Sequence, residues 1–288
     1  MVCRMLSGQH LIVDVFLRRL EPLIYNIFFQ GIPHHRLNGH RCDGWLSRPP
    51  PFESFLDNPK LSAHVRHVLV DSTDYLQFQE TLAQFPNVES ALLWRGWVPE
   101  GPSGPVGPWV DLFKQLNLRR LVTLQPLFRH VALHGPANGC LDPFKMLTHL
   151  YLVFPLTMQD DWPMCLKSCP RLTHLSFDLP SLVIVRQSLD ECPTLTLLCI
   201  ESHARLQTPA AWLDDWPSDL LDLVDDRVVP TIGLSVSEML GNFDVTSRGR
   251  EGYWEAAEVA QVGGIGRRLK DKPFTPKRNC YINARGVY

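Results

Sequence analysis

The chain of 288 residues lacks paired CxxC spacing among its eight cysteines, at positions 3, 42, 140, 165, 169, 192, 199 and 280, and it has no Asn-x-Ser/Thr sequon. Neither a disulfide scaffold nor a zinc finger carries such a pattern, so reduced thiols are expected, in a soluble protein of the cytoplasm or nucleus. Long apolar runs are missing too. The longest early one, Leu11 to Leu17, is broken by Asp14 and has no small-residue cleavage site after it. No stretch approaches the roughly 18 to 20 uncharged residues of a spanning helix, so no membrane partner is expected. Charge of one sign is also absent, because 28 basic against 30 acidic residues give a net charge of -2. A balance of that kind carries no electrostatic footprint for nucleic acid.

Catalytic signatures are absent in the same way. The chain has no GxSxG elbow, no GxxxxGK[ST] phosphate loop and no HExxH, and Gly263-Gly264-Ile265-Gly266 lacks the third glycine and the preceding strand of a dinucleotide site. No enzyme activity, catalytic residue or cofactor is expected. What remains is an apolar fraction of 45%, enough for a sizeable core.

That apolar content is ordered. Six segments repeat one phrase, an apolar residue, two free positions, an apolar residue, one free position and a third apolar or small residue. They start at Val65, Val88, Leu118, Leu147, Leu172 and Leu195, in steps of 23, 30, 29, 25 and 23 residues. Leucine-rich repeats recur every roughly 20 to 29 residues, and each unit is a strand plus a return segment that buries its apolar face only by stacking on neighbours. The fold class expected is therefore α/β, an irregular leucine-rich-repeat solenoid or horseshoe with parallel strands over residues 61–205. Helical spacing before prolines, in Tyr75 to Phe85, Trp162 to Cys169 and Ile184 to Cys192, predicts return helices stopped by Pro86, Pro170 and Pro193. The Gly/Pro-rich insert Gly101 to Pro108 reads as a surface loop.

Around this core, Phe16, Leu20, Leu23 and Ile27 predict a helical segment over residues 1–30, and the Pro- and Arg-rich residues 31–60 an irregular connector. Residues 206–262 are expected to cap the last repeat, with Tyr253 to Val262 as an amphipathic capping helix. The Gly-, Arg- and Lys-rich residues 263–288 are expected to be a disordered tail.

In each phrase the free positions point to the concave face, where solenoids hold partners. The third positions are His67, Ser90, Arg120, His149, His174 and Leu197; the fifth are Leu69, Leu92, Val122, Tyr151, Ser176 and Cys199; the seventh are Asp71, Trp94, Leu124, Val153, Asp178 and Glu201. From these columns, His67, Leu69, Leu92, Trp94, Arg120, His149, Tyr151, His174, Asp178 and Glu201 are the candidate partner-binding residues. The fifth-position stripe suits a protein contact surface. It equally suits a cover supplied by the chain itself, from a loop such as 95 to 110 or from the C-terminal tail.

Three histidines in one column raise a metal reading, but only His149 and His174 belong to neighbouring repeats, and two ligands do not make a secure site. His34, His35, His40 and Cys42 match no tetrahedral spacing. Cys165 and Cys169 are read as buried small hydrophobes, so no metal site is expected.

Leu20-Glu21-Pro22-Leu23-Ile24-Tyr25, His64-Val65-Arg66-His67-Val68-Leu69, Phe85-Pro86-Asn87-Val88, Leu118-Arg119-Arg120-Leu121, Leu147-Thr148-His149-Leu150, Cys169-Pro170-Arg171-Leu172-Thr173-His174-Leu175 and Gly252 to Glu258 together resemble the F-box and leucine-rich-repeat-like proteins of mushroom-forming fungi. The resemblance runs from about residue 15 to 262. It implies repeats that hold a protein substrate and an N-terminal F-box that docks on the adaptor of a cullin-type ubiquitin ligase. At most the last F-box helix is expected, in Val2 to Ile27, and this departure opens the alternative of a stand-alone repeat scaffold. The repeats also lack the Asn or Cys of the family pattern after the last strand leucine, where Thr73, Gly96, Pro126, Pro155, Pro180 and His203 stand instead. Irregular curvature is the expected consequence.

Overall fold

The computed structural model describes residues 2–3, 12–17, 63, 65–71, 82–83, 85–94, 107–137, 143–155, 161–178, 181–202, 220, 223–232, 234, 238–239, 242–243, 246 and 252–262. The chain divides into two compact units, Met1–Leu118 and Arg119–Tyr288.

The first unit contains strands β1 (Val2–Cys3), β2 (Ile12–Leu17), β3 (Val65–Asp71) and β4 (Ser90–Trp94), followed by helix α1 (Gly107–Gln115). β1 pairs with β2 and β2 with β3 antiparallel, while β3 and β4 run parallel, His67 opposite Ser90 and Leu69 opposite Leu92. The helix expected over residues 1–30 is corrected where that stretch is described. Ile12-Val13-Asp14-Val15 is β-branched at three of four positions, and such side chains fit a pleated sheet better than a helix. Residues 18–30, the connector and residues 263–288 lie outside the described residues. The insert is a second correction, because α1 starts at Gly107-Pro108, inside the expected loop, with proline in the first turn where its missing N–H is tolerated.

The second unit alternates strand and return helix: β5 (Arg120–Leu124), α2 (Gln125–Ala137), β6 (His149–Pro155), α3 (Trp162–Lys167), β7 (His174–Asp178), α4 (Leu182–Glu191) and β8 (Leu197–Ser202). Strand β9 (Val228–Ile232) and helix α5 (Tyr253–Val262) complete it. The five strands are parallel throughout, which makes the class α/β. The phrase sets the register: Arg120, His149, His174 and Leu197 stand side by side, as do Val122, Tyr151, Ser176 and Cys199.

The turns into β6, β7 and β8 are the same. Leu147, Leu172 and Leu195 donate their N–H to the carbonyls of Phe144, Cys169 and Cys192 at 2.9–3.0 Å, so the first leucine of the phrase ends a tight turn two residues before its strand. Next to it runs a threonine ladder at the start of the strands, the end opposite the missing Asn or Cys. Thr148 Oγ1 donates to the Arg119 carbonyl, Thr173 Oγ1 to Thr148 and Thr196 Oγ1 to Thr173, each at 3.0 Å. Each of these carbonyls also accepts from the backbone N–H of the threonine and of the residue after it, at 2.9–3.0 Å, so the hydroxyl is a third donor that reinforces the repeat boundary.

Alternation along the strands splits the sheet into two faces. One carries Leu121, Leu150, Leu152, Leu175, Phe177, Leu198 and Ile200, all at most 2% exposed, with the aromatic chain Phe144, Phe128, Trp162, Phe177 at centroid spacings of 5.1, 6.2 and 6.0 Å. This is the core between sheet and return helices. β9 extends the sheet past the last phrase, with Leu198 opposite Val228 and Ile200 opposite Pro230. Counted back along that register, Asp225 stands where the phrase requires leucine, which hides the strand from the repeat pattern. Pro230 lacks an N–H and fits a strand at the sheet's edge. Among the described residues no helix is long and apolar enough to cross a membrane.

Candidate functional site: the strand face beneath helix α5

The other face of the second unit carries the third-, fifth- and seventh-position residues, and α5 lies across it. The helix starts at Gly252, where the Glu255 carboxylate reaches back to accept from the Gly252 N–H at 2.9 Å and Asn242 Oδ1 accepts from the Tyr253 N–H at 2.7 Å. Both bonds satisfy donors that a helix start leaves open. A Cβ on Gly252 would stand 2.7 Å from Asn242 Oδ1 and 2.9 Å from Thr246 Oγ1, so only glycine lets this cap close.

From that start α5 crosses every strand of the unit. Glu255 pairs with Arg120 of β5 at 3.4 Å. Trp254 sets its ring edge-on to both His149 of β6 and His174 of β7, at centroid distances of 5.5 and 5.6 Å, and Glu258 meets His174 Nε2 at 2.9 Å. Tyr253 reaches down to β8, donating to Glu201 Oε1 at 2.7 Å. Gln261 Nε2 donates to the carbonyls of Thr196 and Asp226 at 2.9 and 2.8 Å.

The centre of the seat is a closed polar cluster. Glu201 accepts from Tyr151 at 2.6 Å, from Tyr253 and, at 3.1 Å, from Ser176; the Tyr253 hydroxyl also lies 3.0 Å from Ser176 Oγ and 3.1 Å from Thr231 Oγ1. Burial pushes the Glu201 carboxyl up to about 7 and outweighs the three hydrogen bonds that lower it, with a smaller upward push from Asp178. Burial likewise holds the Tyr151 and Tyr253 phenols well above their ordinary range, so both remain donors. Ser176, Cys199, Thr231 and Tyr253 are all 0% exposed. In this arrangement they offer no surface to a substrate and serve to clamp α5 to the sheet.

The two histidines are fixed as a pair. Their rings stack 4.1 Å apart and 10° from parallel, and each Nδ1 lies 2.8 Å from its neighbouring threonine hydroxyl. Each threonine has already given its only proton to a carbonyl of the ladder, so each Nδ1 is assigned the proton. His149 is held far below the ordinary histidine range, first by burial, then by His174 and Arg120. Burial lowers His174 as well, against the pull of Glu258 upward. A proton between His174 Nε2 and Glu258 is therefore what makes that contact attractive.

The candidate partner-binding residues separate as follows. Arg120, His149, Tyr151, His174 and Glu201 come together beneath α5. Asp178 lies on the same face, 4% exposed, and Tyr151, His174 and Glu201 are 4%, 7% and 2% exposed. Of the two uses open for this face, a partner contact or a cover supplied by the chain itself, the structure displays the second, with α5 lying over these residues. His67 and Leu92 belong to the first unit and are also buried, at 6% and 1%, whereas Leu69 and Trp94 are placed by backbone register alone. The capping role given to Tyr253 to Val262 is corrected, since α5 lies on the face of the sheet and β9 occupies the outer edge of β8.

Tyr253, Trp254, Glu255, Glu258 and Thr231 are site residues that the repeat pattern does not point to. The available signal was the pairing of a Tyr-Trp-Glu helix with a basic third-position column. Cys165, Cys169, Cys192 and Cys199 are buried free thiols, at most 3% exposed, and burial raises Cys165 to about 12 and Cys192 to about 11. On the helix side, Gln125, Phe128, Arg129, Asp161, Trp162 and Cys165 line a cavity of about 10 Å³, room for a single water. The histidine and cysteine cluster at positions 34 to 42 lies outside the described residues. No family model, curated protein or solved structure matches the chain.

Proposed function

We propose that the chain is a protein-interaction module, built as an irregular leucine-rich-repeat solenoid, with no chemistry of its own. In this reading it resembles the substrate-recognition part of an F-box protein and holds its partner on the strand face. One observation carries it: register-matched strands present a row of Arg, His and Tyr side chains, and an α-helix sits on that row. Helix-in-groove docking is a recurring mode of protein recognition.

Ligase docking and stand-alone scaffolding divide at the N-terminus. Residues 12–17 form a strand against β3, so the last F-box helix does not lie in that stretch. Affinity capture from the native host tests both readings. Repeated recovery of a cullin and its adaptor supports the ligase role, and recovery of another protein without them supports the scaffold. Recovery of nothing, with the intact chain and with α5 loosened, contradicts the interaction reading.

A further inference from the structure

The seat of α5 differs in chemistry from the core on the opposite side of the same sheet. The core face presents aliphatic and aromatic carbons. The α5 face mixes apolar Val153, Leu197, Cys199 and Val229 with Arg120, His149, Tyr151, His174, Ser176 and Glu201, and Thr231 stands beside them on β9. A face that needed only permanent cover is most stable when apolar, because a buried carboxyl and paired imidazoles carry desolvation costs that aliphatic groups do not. Tyrosine, tryptophan and arginine with hydrogen-bonded polar groups are instead the composition of a protein-protein interface.

One ion pair and one histidine–carboxylate contact cross the seat. Glu255 and Glu258, one and four positions beyond Trp254, meet Arg120 and His174, and Trp254 lies over the two imidazoles between them. The helix contributes small side chains, Ala257 at 0% and Ala260 at 3% exposed, where it comes nearest the strands, and its outer side shows Val259 and Val262 at 72% and 89%.

We infer that this face is a docking groove for a helix of a partner protein, and that α5 occupies it as an internal ligand. The partner helix carries the recognition pattern of α5: two adjacent aromatic residues, carboxylates one and four positions after the second, and small residues at three and six. It enters by displacing α5. This inference rests on the interaction reading above and names the partner's chemistry.

The test uses the full chain and a fluorescein-labelled synthetic peptide of residues 250–262. α5 is loosened in two ways, by Glu258→Lys, which reverses a half-exposed charge, and by Trp254→Ala. Fluorescence anisotropy is expected to show the peptide binding each loosened chain at least roughly tenfold more tightly than the unaltered chain. A peptide with Glu255 and Glu258 replaced by lysine loses that gain. Circular dichroism melts establish that the loosened chains are folded. The inference is overturned if they fold yet bind neither peptide, or bind both equally. It is overturned as well if each loosened variant unfolds, because α5 is then indispensable core. The two readings fail separately: a captured partner that the peptide does not compete away sinks the groove and leaves the interaction module, whereas peptide binding without any captured partner does the reverse.

Discussion

Glu201 is the residue on which the site's response to pH depends. Its ordinary value is 4.5 and burial takes it to about 7 in the fold, so between those limits the native state keeps a proton that the unfolded chain has released. Stability contributed by this group is therefore full below 4.5 and falls as pH rises through 7, by about 1.4 kcal/mol per unit and about 3 kcal/mol in all. Glu201→Gln has nothing to ionise and keeps one acceptor oxygen, while its amide NH2 takes the other position and donates to the tyrosine hydroxyl there. Urea unfolding at pH 5 and pH 8 is expected to show the variant gaining about 2 kcal/mol or a little more on the unaltered protein between the two, most of the full term. Equal pH dependence would mean that the carboxyl is hydrated. His149 acts in the opposite direction. Its folded value lies below the unfolded one, so its contribution is full above 6.5 and is lost as pH falls. His149→Leu should flatten the acid limb of the same profile.

Residues of this sort were only half legible. Arg120, His149, Tyr151, His174 and Glu201 stand out because the phrase fixes which positions share a face. What lies over them is long-range: Glu255 is 135 residues from Arg120 and Glu258 is 84 from His174. No periodicity within a repeat encodes such a pairing.

At the scale of elements, α5 is the helix whose identity was visible and whose place was not. Its amphipathic spacing and Gly252-to-Glu255 start can be read locally, whereas its position depends on the polar cluster beneath it. The local start gives a sharp prediction. Gly252→Ala forces a Cβ against Asn242 and Thr246 and should loosen the helix, detected as faster amide hydrogen exchange across 253–262 with β6 and β7 unchanged. Unaltered exchange would show that the cap adjusts freely. Strand β2 and helix α1 were obscured for different reasons. β2 carries one apolar run that suits either period, and α1 begins in a Gly/Pro insert whose composition signals a loop. Strand β9 was hidden by two substitutions in its phrase, Asp225 and Pro230. The Thr148, Thr173, Thr196 ladder was present in the repeated Leu-Thr wording, but its use becomes apparent only when successive strands are set side by side.

For the chain as a whole, the repeat phrase was the most informative property, because stacking in register turns one local pattern into two faces, one a core and one a seat. Leu175 lies at the centre of the core face at 0% exposure. Leu175→Asp should cost several kcal/mol, comparable with a domain's entire stability margin, and should be seen as loss of soluble protein. An exposed substitution such as Val259→Lys should stay within about 0.5 kcal/mol and leave expression unchanged. The central claim is that α5 rests on the strand face across the two stacked histidines. Its most direct measurement is a proton–proton nuclear Overhauser experiment on protein labelled at histidine and tryptophan. Cross-peaks are expected from the Trp254 indole to the imidazoles of both His149 and His174. Absence of both, with a Trp254 indole that exchanges freely with solvent, would contradict it.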